Sequence, residues 1–396
     1  MRTMRIAVIG SRGVPATFGG IEHHVEEIES RLAARGHDVT VYCRSNYVPA
    51  GLAEHRGMKI RRLPVIRTKY FDAVAHSSLS TVDALTRRFD IVHFHALGPG
   101  LPALLPRALH TSKVVQTVHG LDYERAKWGR VAKTVLRTGG WLSARVPDAT
   151  IVVSQSLQDY YAQHYGRPTS FITNGAVPPV CRPARRIVDE LGLQPRRYVL
   201  SVGRLVPEKA TDLLIAAFAQ VPGDFQLVVA GGSSFTDDYV AYLRELAAAD
   251  PRVKMVGFVY GDLLEELYNN AAVFCLPSLV EGLPLTLLEA SSYARPVIAS
   301  AISPHVEVLR EDGPGHRLVS VDDQAALARS LTAVLADLPG EEAGGPALQH
   351  RVMANHNWDA VADATEEVYR RVLAGGRRHA RKWSGAVAPA SEVLGQ

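Results

Sequence analysis

Two glutamates eight residues apart, Glu281 and Glu289, carry the clearest chemical signal in the chain. They stand in the run Pro277-Ser278-Leu279-Val280-Glu281-Gly282-Leu283-Pro284-Leu285-Thr286-Leu287-Leu288-Glu289-Ala290. An apolar strand precedes this run and a helix is expected to open in it, with Pro284 as an early helical residue. Gly282 permits a close backbone approach. The unpaired amides at the helix start, around Leu283 and Leu285, and the helix dipole behind them make an anion site. Glu281 falls in the loop and Glu289 two turns into the helix, so both carboxylates are placed to face one ligand.

A second group is Ser201-Val202-Gly203-Arg204-Leu205-Val206-Pro207-Glu208-Lys209. Arg204 and Lys209 straddle a turn after a strand, at the carboxyl end where open α/β sheets bind ligands. Two cations beside a set of helix-start amides can hold a diphosphate without a metal. Alone, this segment reads more readily as a solvated turn with two ordinary cations; beside the acidic run it becomes a candidate site.

These residues need a frame, and the chain supplies a repeating one. Short β-branched runs occur at 6–9, 39–43, 91–94, 114–118, 150–153 and 170–173, and again at 198–202, 226–230, 253–258, 272–276 and 297–299. Each is read as followed by a helical pattern. Continuously apolar strands alternating with helices predict parallel, doubly wound sheets. The alternation breaks between Ala176 and Arg197, where Pro178, Pro179, Pro183 and Pro195 cluster. This predicts an α/β protein of two Rossmann-like domains facing each other, residues 1–180 and 181–356, with a linker between them. After Pro339-Gly340 the pattern loosens. A last helix is expected over 357–374, and the tail 375–396 reads as disordered.

Composition narrows the classes. The 396 residues are 47% hydrophobic and 21% charged, which suits globular domains. Three scattered cysteines give neither a disulfide framework nor a cysteine zinc site, and point to a reducing, cytoplasmic compartment. No apolar run reaches the ~18 residues of a membrane span, and the start reads as a first strand rather than a leader. Residues 1–180 hold 23 Lys and Arg against 13 Asp and Glu, a net +10, while residues 181–396 hold 21 against 27, a net −6. A basic first half suggests an anionic partner. Nucleic acid is not expected, because no aromatic stacking platform interleaves the charges.

Several motifs are missing. The glycine turn after the first strand, Gly10 to Gly20, is not G-x-G-x-x-G; there is no P-loop and no G-x-S-x-G. His23-His24 and His93/His95 lack metal-ligand spacing, so no metal site is expected.

Glu281 and Glu289 as E-x7-E, preceded by Gly203, Arg204 and Lys209 as G-R-x-x-x-x-K, resemble the retaining glycosyltransferases of family four. Gly19, Gly20, His119, the loop Thr173-Asn174-Gly175 and the Asn357-Trp358 helix agree, so the resemblance covers roughly residues 4–374. It implies two facing Rossmann-like domains of the B-type fold, with the last helix crossing back to the first domain. It also implies transfer of a sugar from a nucleotide-diphosphate sugar, with no cofactor and no required metal. By the family pattern Glu281 contacts the donor sugar, Glu289 the ribose and Val259 the base. Ser278, Gly282, Leu283 and Leu285 line the donor site. His119 reaches the sugar from the first domain, and Gly19 and Gly20 lie near the diphosphate and acceptor. Retention is usually pictured as same-face substitution, in which the leaving phosphate takes the acceptor's proton. A narrower resemblance rests on Gly13-Val14-Pro15, Phe18-Gly19-Gly20-Ile21-Glu22 and His119-Gly120-Leu121-Asp122. It is to a bacterial subgroup that includes rhamnosyltransferases of surface polysaccharide assembly.

The stretch Arg125 to Arg137 reads as a basic amphipathic helix. Arg130, Lys133 and Arg137 share a face, with Arg125, Lys127 and Trp128 ahead of them. It is expected to meet an anionic membrane or a lipid-diphosphate-linked acceptor at the inner face of the membrane, or else to be a solvated basic helix. The acceptor expected is a glycan or its lipid-linked precursor. Competing readings are a nucleotide-sugar 2-epimerase and a non-catalytic nucleotide-sugar-binding subunit.

Overall fold

A computed structural model describes residues 2–17, 19–65, 72–124 and 129–375. The expectations for Arg125, Lys127, Trp128, Phe18 and the tail beyond 375 lie outside the described residues.

The first half supplies eight strands: β1 (Arg5–Ile9), β2 (Asp38–Arg44), β3 (Glu54–His55), β4 (Met58–Leu63), β5 (Ile91–His95), β6 (Lys113–Val118), β7 (Ala149–Val152) and β8 (Ser170–Phe171). They form one sheet in the order β3-β4-β2-β1-β5-β6-β7-β8, parallel throughout except for the β3–β4 hairpin. The second half supplies β9 (Tyr198–Val202), β10 (Gln226–Ala230), β11 (Val253–Gly257), β12 (Val273–Leu276), β13 (Val297–Ser300) and β14 (His316–Val319), all parallel in the order β11-β10-β9-β12-β13-β14. Both sheets are doubly wound. Their strand order reverses at β1/β5 and at β9/β12, which are the positions where such sheets open a crevice for ligands.

The central strands are buried on both faces. Ile6, Val8, Ile91, Val114, Val115, Val199, Leu200, Val228 and Phe274 expose essentially nothing. At ~25 cal/mol per Å² of apolar surface withdrawn from water, such residues dominate the stability of both domains. The expected strands all form, within a residue or two at their ends. Three more were not anticipated: β3, β4 and β14. Lys59, Arg61 and Arg62 interrupt the apolar pattern of β4, and these positions are exposed or half-buried because β4 lies at the sheet's margin. His316 and Arg317 have the same effect in β14, at the other sheet's edge.

The loosening expected after Pro339-Gly340 is corrected. Residues Leu338–Asn355 are helical despite Gly340, Gly344, Gly345 and Pro346. Asp337 caps the start by accepting from the Gly340 amide at 3.2 Å, and Pro339 occupies the first turn, where its missing N–H costs little. A Cβ on Gly344 would lie 2.0 Å from the Pro314 carbonyl oxygen, and one on Gly345 2.2 Å from that of Ala294. The two glycines that weaken the helix locally are therefore what lets it dock, and packing overrides propensity.

The last helix, Trp358–Leu373, packs on the first domain against helix Gly20–Ala34. Trp358, Val361, Val368, Tyr369 and Val372 share a buried cluster with Ile6, Val8, Val25 and Ile28. Arg31–Asp359 at 2.7 Å, Arg35–Glu366 at 3.0 Å and His37–Glu366 at 2.9 Å rim the contact. The two interdomain crossings touch: Ala176 and Asn357 form a parallel bridge, and the Ala176 amide donates to the His356 carbonyl at 2.7 Å. Among the described residues no helix is long and apolar enough to cross a membrane.

Candidate active site

The ends of β1, β5, β9 and β12 converge on one cleft of about 900 Å³ between the domains. Gly19, Gly20, His119, Arg204, Lys209, Val259, Glu281, Gly282, Leu283, Leu285 and Glu289 all line it.

On the second-domain wall, Lys209 Nζ and Glu281 Oε1 form an ion pair, with both side chains nearly buried. Burial alone would raise the Glu281 carboxyl. Lys209, His305 and a hydrogen bond from Ser278 outweigh it, and hold the group below the ordinary carboxylate range. His305, on helix Ser303–Leu309, was not anticipated. It is fully buried, lowered to about 4 by desolvation, and neutral at neutral pH.

Ser278 corrects an expectation. The family pattern puts it among the residues lining the donor site, but it has no exposed surface and does not line the cleft. It sits just past β12, turned into the sheet. Its hydroxyl donates to Glu281 Oε1 at 2.8 Å, and its carbonyl accepts from Ser300. Ser278 therefore holds Glu281.

The anion site also shifts. Pro284 is extended, at the cap position, and the helix runs Leu285–Ser292. The Leu287 and Leu288 amides bond to the Pro284 carbonyl at 3.2 and 3.4 Å. That leaves the amides of Leu285 and Thr286, rather than that of Leu283, as the first-turn donors without an intrahelical partner. Thr286 also lines the cleft, and its buried hydroxyl has no partner. Nothing in the spacing singled it out.

One turn further along the helix, Glu289 Oε2 accepts from the Tyr268 hydroxyl at 2.9 Å. Burial and the neighbouring carboxylate push Tyr268 well above its ordinary value, so it stays a donor. Tyr268 was likewise invisible in the sequence, because its helix, Gly261–Asn270, lies outside both motifs.

The domains meet at Gly282. A Cβ there would fall 1.8 Å from the His119 carbonyl oxygen, so the close approach Gly282 permits is to the first domain's backbone. Asn174 makes a second tie, donating to the Leu283 carbonyl at 2.9 Å while its Oδ1 faces His24 Nδ1 at 2.8 Å. His119 stacks on His95, with His95 Nδ1 and His119 Nε2 3.1 Å apart. On the first-domain wall Gly19 (φ 103°) caps helix Gly20–Ala34, and Arg12 and Arg44 also line the cleft. Arg44 pairs with Asp72 at 2.5 Å.

The basic helix is Arg130–Arg145. Arg130 and Arg137 are exposed and Lys133 is half-buried. Val131 is 77% exposed and Trp141 50%, with the Arg145 guanidinium 5.5 Å from the Trp141 ring. The aromatic residue shown on this face is thus Trp141, which the sequence reading passed over.

Comparison with known proteins bears on the family and the fold. Residues 18–178 match the model described as Glycosyltransferase Family 4, and residues 196–337 that described as Glycosyl transferases group 1. The chain is 26% identical over 395 residues to an alpha-maltose-1-phosphate synthase of Mycolicibacterium smegmatis, covering 94% of this chain and 100% of the relative. It is 26% identical over 418 residues to a D-inositol 3-phosphate glycosyltransferase of Corynebacterium diphtheriae, covering 93% and 95%. Among solved structures, a sucrose-phosphate synthase from Thermosynechococcus elongatus superposes with a TM-score of 0.79 at 25% identity, over 94% of this chain and 100% of the other. Anabaena HepE, solved with UDP and glucose, gives 0.77 at 19% identity over 93% and 99%, a likeness of fold alone. Because the two models tile both domains, and the residues that carried the resemblance gather where those domains meet, the chain belongs to the family-four glycosyltransferases and has their two-domain B-type fold.

Proposed function

We propose that the protein is a retaining glycosyltransferase. It moves a sugar from a nucleotide-diphosphate sugar to a glycan or lipid-linked acceptor in cell-surface polysaccharide synthesis, at the cytoplasmic face of the membrane. One observation carries this reading: Arg204, Lys209, the Leu285 and Thr286 amides, Glu281 and Glu289 line a single wall of the interdomain cleft.

The leaving diphosphate gains charge as the glycosidic bond breaks. Two cations and the helix-start amides aim positive charge at that point, and one such preorganised donor is typically worth about 3 kcal/mol. Glu281 already orients Lys209, so the cation is in position before the donor enters. These groups answer the diphosphate's charge without a metal. Glu281 then lies beside the reacting carbon, where its carboxylate favours an oxocarbenium-like state. Glu289, steadied by Tyr268, accepts the ribose hydroxyls, and Val259 flanks the base. His119 bonds the sugar from the opposite wall, while Gly19 and Gly20 leave room for the acceptor. With the leaving phosphate taking the acceptor's proton, no protein base is required.

Exposed Val131 and Trp141 among Arg130, Arg137 and Arg145 support a membrane-facing helix. A second acceptor reading, a soluble sugar phosphate, is favoured by Arg12 and Arg44 on the first-domain wall and by the relatives' names.

The test is a panel of UDP-, GDP-, ADP- and dTDP-sugars, dTDP-rhamnose included, scored by thermal protection of wild type and Glu289→Ala. A true donor raises the Tm of wild type and loses most of that effect in the variant. Donor alone separates a 2-epimerase, which converts it without acceptor. A binding-only subunit would release no nucleoside diphosphate with either lipid-linked or sugar-phosphate acceptors.

A further inference from the structure

Three histidines from distant segments meet beneath the first-domain wall of the cleft. His24 stands on helix Gly20–Ala34, His95 ends β5 and His119 follows β6. Their ring centroids are 4.6 Å (His24–His119), 5.4 Å (His95–His119) and 5.6 Å (His24–His95) apart. One ligating nitrogen from each lies within 4.8 Å of the other two. His95 Nδ1 and His119 Nε2 are 3.1 Å apart. Two nitrogens sharing a tetrahedral ion at ~2.0–2.1 Å each would be about 3.3 Å apart.

The surrounding hydrogen bonds settle which nitrogen of His24 carries a lone pair. The Asn174 amide nitrogen donates to the Leu283 carbonyl, so its oxygen is the atom that faces His24 Nδ1. His24 Nδ1 must therefore be the donor, which leaves Nε2 unprotonated. An imidazole whose other nitrogen donates to an amide or carboxylate oxygen is oriented as metal ligands are. His24 and His95 are both buried. Two orphaned atoms lie close by. His95 Nε2 is buried without a partner, and so is Oε2 of Glu29, a residue with no exposed surface. Glu29 contributes a ligand atom to a second group with His93 and His95, also within 4.8 Å. A buried carboxylate with an unsatisfied oxygen is costly unless positive charge is near.

We propose that His24, His95 and His119 bind one Zn²⁺ ion at the floor of the cleft, with Asn174 orienting His24 and Glu29 supplying nearby countercharge. An all-imidazole set suits Zn²⁺ and its late first-row neighbours and is unsuited to Mg²⁺ or Ca²⁺. This ion is separate from the diphosphate grip, which uses Arg204, Lys209 and the helix-start amides. Its consequence rests on the proposed transferase reading: His119 held on Zn²⁺ is withdrawn from the sugar, so occupancy inhibits transfer.

The test uses the full chain stripped with a chelator and titrated with Co²⁺ and then Zn²⁺. The expected result is one equivalent of Co²⁺ with the intense visible absorption of a four-coordinate site, displaced by Zn²⁺. His24→Gln and His95→Gln should each weaken binding by at least ~100-fold, and Asn174→Ala by ~10–100-fold. X-ray absorption on Zn²⁺-loaded wild type should count three imidazoles, and it needs no variant to fold. Absence of stoichiometric binding, a different ligand count, or equal affinity in a folded His24→Gln/His95→Gln double variant would overturn the proposal. The binding arm involves no donor. Zn²⁺ binding by a chain whose metal-stripped form transfers sugar from none of the donors defeats the transferase reading and leaves the site standing; transfer by the stripped chain with no Zn²⁺ binding does the reverse.

Discussion

Lys209 and Glu281, from opposite sides of the β9/β12 switch point, are ion-paired to each other inside the cleft. The two residues that the sequence assigns to different parts of a donor are therefore one unit. Removing either strands the other in a largely buried place. Lys209→Met should cost roughly 3–5 kcal/mol of stability as well as activity, because it leaves Glu281 buried and unpaired. Chemical denaturation of single variants and of Lys209→Met/Glu281→Gln checks this. The double variant should be more stable than Lys209→Met alone.

The same pair sets an acid limit. The Glu281 carboxyl is held below its ordinary value in the folded chain. Its contribution to stability is fully present above the unfolded-state value and disappears as pH falls through the lower, folded one. Denaturation midpoints measured from pH 7 down to pH 3 should fall more steeply for wild type than for Glu281→Gln. Parallel curves would contradict this.

Gly282→Ala should separate binding from closure. Its new methyl would collide with the His119 carbonyl, a backbone atom that cannot rotate away. Overpacking of this kind costs typically 1–3 kcal/mol, here charged to the domain contact. We expect nucleoside diphosphate to bind within a few-fold of wild type, kcat to fall at least ~10-fold, and the radius of gyration in solution scattering to increase.

Trp358→Ala should destabilise the first domain although the residue lies 187 positions beyond Phe171, the end of that domain's last strand. Trp358 is 2% exposed and packs with Val8 and Val25. Emptying such a site typically costs 3–5 kcal/mol. Hydrogen exchange should show the added opening in β1, β2 and helix Gly20–Ala34.

Flotation with vesicles tests the exposed helix. Anionic vesicles should retain wild type and release Arg130→Glu/Arg137→Glu, with Trp141→Ala intermediate. Neutral vesicles should retain neither. Equal retention of all variants would remove this helix from the membrane reading.

The central strands were legible because parallel strands buried on both faces spell continuous apolar words, as at 6–9 and 198–202. Strand β4 was not, since a margin strand such as Met58–Leu63 carries Lys59, Arg61 and Arg62 without penalty. Glu281 and Glu289 stood out through their spacing along one short segment. Tyr268, His305 and Thr286 did not, because each matters only through what tertiary folding sets beside it. The clearest case is His24, His95 and His119: sequence spacing argued against ligation, since no pair had a ligand pattern, and only the packing of helix Gly20–Ala34 beside the ends of β5 and β6 brings them together. Helix Leu338–Asn355 failed for the opposite reason, its glycines being local liabilities that serve a long-range contact.

The return of Trp358–Leu373 to the first domain bears on the order of events during synthesis. A ribosome that has released residues up to Phe171 has made every strand of the first sheet but not the helix that seals one face of it. The second domain, whose strands end at Val319 and whose docking helix ends at Asn355, can be complete before the first is closed. Co-translational folding usually favours the amino-terminal unit; here that unit must wait for nearly the whole polypeptide, and an excised fragment ending near residue 178 would emerge with an open apolar groove along Val25 and Ile28.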